Sequence, residues 1–275
     1  MMRIIRAWSA FRVIILINRG WGAEMRSRRD FLRYGIKAAL GVGFSIAAKE
    51  RLFASDGKGA DRRWAFLADT YKCVGCGLCV KACKLENEVP YDAHVTRTWV
   101  ERYVVKKDGT VIADSPLGGR DGYIKNDPQG IVVPKEDIAK AFFVPKLCNQ
   151  CTNPPCVQVC PVGATYQTAD GVVLVDRTWC IGCGYCIMAC PYGVRFFHPV
   201  YHVAEKCNFC YHRITKGMNP ACVDACPFGA RLIGNIKDFN DPVTKVIRTE
   251  RVSVLKEEFG TKPNVYYKNF DSVVR

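Results

Sequence analysis

The sequence predicts an α+β fold of short β-hairpins and loop insertions arranged around clustered cysteines, and three observations predict it. Sixteen cysteines fall into four groups of four with none left over: Cys73, Cys76, Cys79 and Cys83; Cys148, Cys151, Cys156 and Cys160; Cys180, Cys183, Cys186 and Cys190; Cys207, Cys210, Cys222 and Cys226. Every group closes with Cys-x-x-x-Cys, a step of one helical turn. The turn pairs Asp108-Gly109 and Asp170-Gly171 each stand between runs of strand-forming residues. A chain of 275 residues that is 49% apolar and 24% charged can bury a core without disulfide staples, so the cysteines call for a chemical explanation.

Along the chain, residues 1–60 read as a leader. Ser27-Arg28-Arg29-Asp30-Phe31-Leu32-Arg33 precedes a modest apolar run, Ile36 to Ala48, too short to span a bilayer. This order resembles a twin-arginine export signal, which implies a folded passenger handed to the twin-arginine machinery. Met25 stands close before the arginine pair and is the expected start. Neither Phe11 to Ile17, interrupted by Arg12, nor Ile138 to Val144, which contains Lys140, has the length of a membrane span. Trp64 to Thr70 reads as a strand leading into the first cysteine group. The 64 residues between the first and second groups hold a hairpin over Val100 to Ala113 and read as an insertion. Only 19 residues separate the second and third groups, with a hairpin of Ala164 to Gln167 and Val172 to Val175. Beyond Cys226, Arg231 to Ile233 and Val252 to Leu255 alternate with turn residues. A polar tail, expected on the surface or against a partner, ends the chain.

The third group runs Cys-x-x-Cys-x-x-Cys-x-x-x-Cys-Pro, ending on Cys190-Pro191. Three thiolates at steps of three, in a loop loosened by Gly182 and Gly184, can converge on three irons of a 4Fe-4S cube. The fourth cysteine, one turn further, serves a neighbouring cube in two-cluster ferredoxins. The first group keeps that spacing but has Lys84 in place of the proline. The second widens the middle gap to Thr152-Asn153-Pro154-Pro155, and the fourth widens it to Tyr211–Ala221. Zinc would use paired Cys-x-x-Cys knuckles and leave the three-in-a-row pattern without purpose; a zinc-bound structural or interaction module stands as the alternative. Disulfides suit an exported chain, yet cysteines at three-residue steps in a tight loop cannot all find partners of suitable geometry. A 3Fe-4S site in place of one cube is a milder variant.

The net charge of +14 divides into +8 on residues 1–54 and +6 on the remainder. Four cubes bound by sixteen thiolates add about −8, which brings the cluster-bearing part to about −2. That balance argues against a nucleic-acid partner.

Residues 64–236 resemble the four-cluster iron-sulfur subunits of the molybdopterin oxidoreductase superfamily, of the dimethyl sulfoxide, polysulfide and tetrathionate reductase type. The likeness rests on Cys148-Asn149-Gln150-Cys151, Cys156-Val157-Gln158-Val159-Cys160-Pro161-Val162-Gly163-Ala164 and Cys190-Pro191-Tyr192-Gly193-Val194-Arg195, with Gly260 to Tyr267 similar to that family's tail. The resemblance implies two bacterial-ferredoxin-like units, one inserted in the other: residues 61–145 open the outer unit, 146–190 form the inner one, and 191–275 complete the outer unit with the tail. It implies that Cys148, Cys151 and Cys156 share a cluster with Cys190, and Cys180, Cys183 and Cys186 with Cys160. Likewise Cys73, Cys76 and Cys79 go with Cys226, and Cys207, Cys210 and Cys222 with Cys83. Spacing alone leaves a pairing of the third with the fourth group open, since 16 residues separate them.

What the family implies for function is a non-catalytic electron-transfer subunit, periplasmic and peripheral on the cytoplasmic membrane. It would relay single electrons between a membrane quinone-interacting subunit and a molybdopterin catalytic subunit or multihaem cytochrome. A catalytic iron-sulfur enzyme would need an iron with an open position, and sixteen cysteines for sixteen irons leave none. Direction of flow is not encoded in the spacing, because 4Fe-4S potentials span roughly −700 to +450 mV. Lys72, Lys146 and Lys206 precede cysteine groups and are expected as solvated lysines, with a cluster-tuning role as the rival reading. Trp179 could equally shield a cluster or pack ordinarily. His94, His198, His202 and His212 show no ligand spacing.

Overall fold

The computed structural model describes residues 61–123 and 131–274; the expected leader, its arginine pair and Met25 lie outside the described residues. The run Trp-Ala-Phe-Leu-Ala-Asp has no polar alternation and suits a strand covered on both faces. It forms β1 (Trp64–Asp69), buried from Ala65 onward. β1 pairs antiparallel with β9 (Arg231–Asn235) and parallel with β11 (Val265–Lys268), which also pairs with β10 (Val252–Ser253), in the order β10-β11-β1-β9. One sheet thus joins the segment before the first cysteine group to the segment after the last.

The expected polar tail is instead a strand of that sheet. Val265 and Tyr267 are fully buried, and their two-residue period lies inside the polar-looking run from Lys262 to Lys268. On one face of the sheet Phe66, Ala68, Val265 and Tyr267 join a core that includes Cys79, Cys148, Cys207 and Cys222. On the other, Ala65 and Leu67 meet Val243 of a C-terminal helix, Pro242–Thr249. Asp241 caps that helix by accepting from the Val243 amide at 2.8 Å, with Pro242 at its first position.

The hairpin around Asp108-Gly109 is β2 (Thr98–Lys106) with β3 (Val111–Asp114), and β4 (Ile138–Leu147) pairs along the other edge of β2. The hairpin around Asp170-Gly171 is β5 (Thr165–Gln167) with β6 (Val173–Val175). A last small ladder joins β7 (Phe196–Phe197) and β8 (Ala204–Glu205). The helices at the cysteine groups are short: α1 (Leu78–Glu86), α2 (Pro155–Gln158), α3 (Tyr185–Met188), α4 (Tyr211–Ile214), which Cys210 precedes, and α5 (Ala221–Asp224); Pro242–Thr249 is α6. Among the described residues no helix is long and apolar enough to cross a membrane.

Candidate metal centre

Each cysteine group enters a short helix from a tight loop. Gly77, at φ 75°, and Gly184, at φ 78°, cap α1 and α3 in the left-handed region, where a side chain is strained. At Gly77 an added Cβ would also lie 2.4 Å from the carbonyl oxygens of Gly119 and Arg120. Cys79 and Cys83 then stand one turn apart on α1, as Cys186 and Cys190 do along and just after α3.

That one-turn step sends the two cysteines of a group to different places. Cys73, Cys76 and Cys79 line a void together with Cys226 of the fourth group (site 1). Cys83 lines another with Cys207, Cys210 and Cys222 (site 2). A third is lined by Cys148, Cys151, Cys156 and Cys190 (site 3). Voids with the same donor set, four cysteines each, fit one repeated occupant. Among the described residues no three His, Cys, Asp or Glu side chains converge on a point where a single ion would sit. None of the sixteen is disulfide-bonded.

The remaining four are Cys160, Cys180, Cys183 and Cys186 (site 4). Cys186 packs with Cys156, Val173 and Ala204, with Cys180 and Ile187 against them, and Cys183 is exposed. Around it stand exposed Ile181, Tyr185 and Met188. Trp179 is 67% exposed.

Backbone amides point at sulfur in each of the last three groups. Thr165 N donates to Cys160 Sγ at 3.4 Å, Ala204 N to Cys180 Sγ at 3.5 Å, Phe209 N to Cys207 Sγ at 3.4 Å and Ala230 N to Cys226 Sγ at 3.4 Å. The Asn87 amide adds contacts of 3.6 Å to Cys83 Sγ and 3.8 Å to Cys210 Sγ, and its own oxygen is held by Arg97 at 2.8 Å. Such donors favour the thiolate and raise a cluster's potential. Burial works the other way: it pushes Cys73 up to about 11 and Cys151, Cys207 and Cys222 up to about 12. Thiols this buried become ligands only where a metal's own positive charge offsets the desolvation. At Cys160 burial also raises the thiol, and the amides of Thr165, Val162 and Ala164 outweigh it, leaving a net lowering.

Two of the three lysines weighed in the sequence are not solvated. Lys146 is 6% exposed and pairs with Glu101 at 2.7 Å, and Lys206 is 2% exposed with its ammonium on the Val173 and Cys207 carbonyls; Lys72 is exposed. His198 is fully buried and its ring nitrogen lies 3.2 Å from the Glu88 carbonyl, a packing role. Sequence reasoning missed Asn87, Arg195 and Arg231. For the arginines a signal existed: Cys190-Pro-Tyr-Gly-Val-Arg195 and Cys226-Pro-Phe-Gly-Ala-Arg231 repeat one pattern, with the arginine five residues after the last cysteine.

Models of a 4Fe-4S dicluster domain match residues 72–164 and 139–236. The two dicluster matches account for four 4Fe-4S clusters and for all sixteen cysteines. The B subunit of tetrathionate reductase from Salmonella typhimurium is 38% identical over 250 residues, covering 89% of each chain. Its counterpart from Archaeoglobus fulgidus, also a tetrathionate reductase B subunit by name, is 40% identical over 211 residues, covering 77% of this chain and 84% of its own. The Hdr-like menaquinol oxidoreductase iron-sulfur subunit 1 of Archaeoglobus fulgidus is 35% identical, covering 88% of this chain and 98% of its own. Cysteine-lined voids, dicluster matches and relatives aligned over nearly the whole chain lead to one conclusion: the chain belongs to the four-cluster iron-sulfur subunits of the molybdopterin oxidoreductase superfamily.

Proposed function

We propose that this protein is a single-electron relay whose sixteen cysteines hold four 4Fe-4S clusters in the crossed pairing of sites 1 to 4, the outer ferredoxin-like unit (sites 1 and 2) enclosing the inner one (sites 3 and 4). The observation that carries this reading is the lining of three voids, each by three cysteines of one group and the last cysteine of another. When bound, each cluster supplies a one-electron centre of tunable potential.

The neighbouring residues support an order for the centres. Cys222 of site 2 interacts electrostatically with Cys79 of site 1, and Cys207 of site 2 with Cys148 of site 3. Arg195 faces Cys156 and Cys148 of site 3 and Cys186 of site 4. The sequence of centres is then 1-2-3-4, with sites 1 and 4 at the ends. Exposed Tyr71, Val74 and Phe228 lie by site 1, and exposed Trp179, Ile181 and Met188 by site 4. Such an arrangement suits a conductor with two terminals. One terminal would meet a membrane quinone-interacting subunit; the other would meet a molybdopterin catalytic subunit or a multihaem cytochrome. The twin-arginine pair Arg28-Arg29 supports a working location in the periplasm, peripheral on the membrane.

Anaerobically purified protein should contain about sixteen iron and sixteen acid-labile sulfide per chain. Stoichiometric zinc with no sulfide would overturn the relay and favour an interaction module. Replacing both Arg28 and Arg29 by Lys should strand the protein in the cytoplasm, and normal export would remove the periplasmic assignment alone.

A further inference from the structure

Buried cations in this chain fall into two classes. Arg97, Arg120 and Lys146 pair with Glu205, Asp121 and Glu101, and Lys84 faces Asp92 electrostatically. Arg231, Arg195 and Lys206, only 1%, 4% and 2% exposed, have no carboxylate within salt-bridge reach among the described residues. A buried cation without a counter-charge is strongly unfavourable, so each needs an anion that the polypeptide's carboxylates do not supply.

Their positions show where that anion is. Arg231 lines the void of site 1, donates to Thr98 Oγ1 at 2.9 Å and faces Cys73 and Cys79 of site 1 and Cys222 of site 2. Among the described residues its Nη2 has no hydrogen-bond partner, while its side chain also hydrogen-bonds Cys222. Arg195 lines the void of site 3 and donates to Thr165 Oγ1 at 3.3 Å. The Thr165 amide in turn holds Cys160 Sγ of site 4; among the described residues Arg195 Nε and Nη2 have no partner, while its side chain also hydrogen-bonds Cys156. Lys206 bonds the carbonyl of Val173, which lines site 3, and that of Cys207 in site 2. Each of the three gaps between sites 1, 2, 3 and 4 therefore holds one cation that has no carboxylate partner among the described residues. The two arginines occupy equivalent places after the third and fourth cysteine groups, five residues after the last cysteine of each, and the lysine directly precedes the fourth group.

Resting on the relay reading, we propose that these three cations are positioning groups for electron transfer, each raising the reduction potentials of the two clusters that flank it. A fixed positive charge shared by two neighbours favours the more negative, reduced state of both. It shifts them together, so the step between them stays small while the level of the pair is set. The orphaned guanidinium nitrogens are then donors to cluster sulfur.

The test is a potentiometric titration of the purified holoprotein followed by electron paramagnetic resonance, in Arg231→Gln, Arg195→Gln and Lys206→Met. At a fixed poise, the reduced-to-oxidised ratio of two of the four clusters should fall about tenfold in each variant, a shift of about 59 mV. The arginine variants should move disjoint pairs of midpoints, and the lysine variant should move one from each pair. Arg231→Lys and Arg195→Lys keep the charge and should hold the original midpoints even if assembly yield drops. Unchanged midpoints in the Gln variants, a uniform shift of all four, or Lys variants that behave like Gln would overturn the proposal. A wild-type protein without four reducible clusters would instead overturn the relay reading.

Discussion

Glu205 offers the sharpest test of how the fold supports the cysteines. Its carboxylate, 6% exposed, binds Arg97 at 2.7 Å, itself 5% exposed, and Arg177 Nε at 2.7 Å. Arg97 in turn fixes the Asn87 amide that faces Cys83 and Cys210. Glu205→Met leaves the Arg97 charge buried and uncompensated, which costs about 3–5 kcal/mol; Arg177, a third exposed, contributes little. For a folded region of this size each kcal/mol moves the melting point by about 2–4 °C, so the variant should melt about 6–20 °C lower. The assay is thermal bleaching of the cluster absorbance under argon, wild type and variant at one scan rate because the loss is irreversible. Pairing the change with Arg97→Met removes both charges and should recover much of the loss. A single variant within about 2 °C of wild type, or a double variant no better than the single, would refute the reasoning.

Two further substitutions test the site itself. Gly77→Ala puts a Cβ 2.4 Å from two backbone oxygens at a positive φ, so the first cysteine loop cannot close and iron content should fall by about one cluster per chain on metal analysis; full iron loading would contradict that geometry. Cys160→Ser should alter the resonance of the cluster served by Cys180, Cys183 and Cys186 more than that served by Cys148 and Cys151, and the reverse outcome would break the crossed pairing.

Much of this was legible because the cysteine motifs are local. Three cysteines at short steps and a fourth one turn on mark each group as an iron-sulfur motif, and Asp108-Gly109 and Asp170-Gly171 turn where strand formers flank them. The strand from Trp64 reads directly from its unbroken apolar run. The sequence misled where a polar residue's environment is made by distant segments. Lys206 looks like any lysine beside a motif, yet β6 supplies the Val173 carbonyl that receives it in the interior. Val265 and Tyr267 hide a buried strand among polar neighbours, because only two alternating positions face the core.

The nonlocal part of the site depends on one strand pairing. Cys226 can reach Cys73, Cys76 and Cys79 only if the fourth group returns across some 150 residues to the first. β1 arranges that return by accepting β9, which follows Cys226 closely, on one edge and β11 on the other. The Asp69 amide donates to the Ala230 carbonyl at 2.9 Å, and the Ala230 amide donates to Cys226 Sγ. Strand pairing and the placement of the Cys226 thiol at site 1 are therefore joined through a single residue. Arg231, the next residue, begins β9 and turns its guanidinium between sites 1 and 2, so the register that closes the sheet also sets the charge between them. A one-residue slip of β9 would move Arg231 to the opposite face, away from both sites. The Arg63 amide, which donates to Asn235 Oδ1 at 2.8 Å, and the Ile236 amide, which donates to the Arg63 carbonyl at 2.8 Å, hold the far end of β9 against that slip.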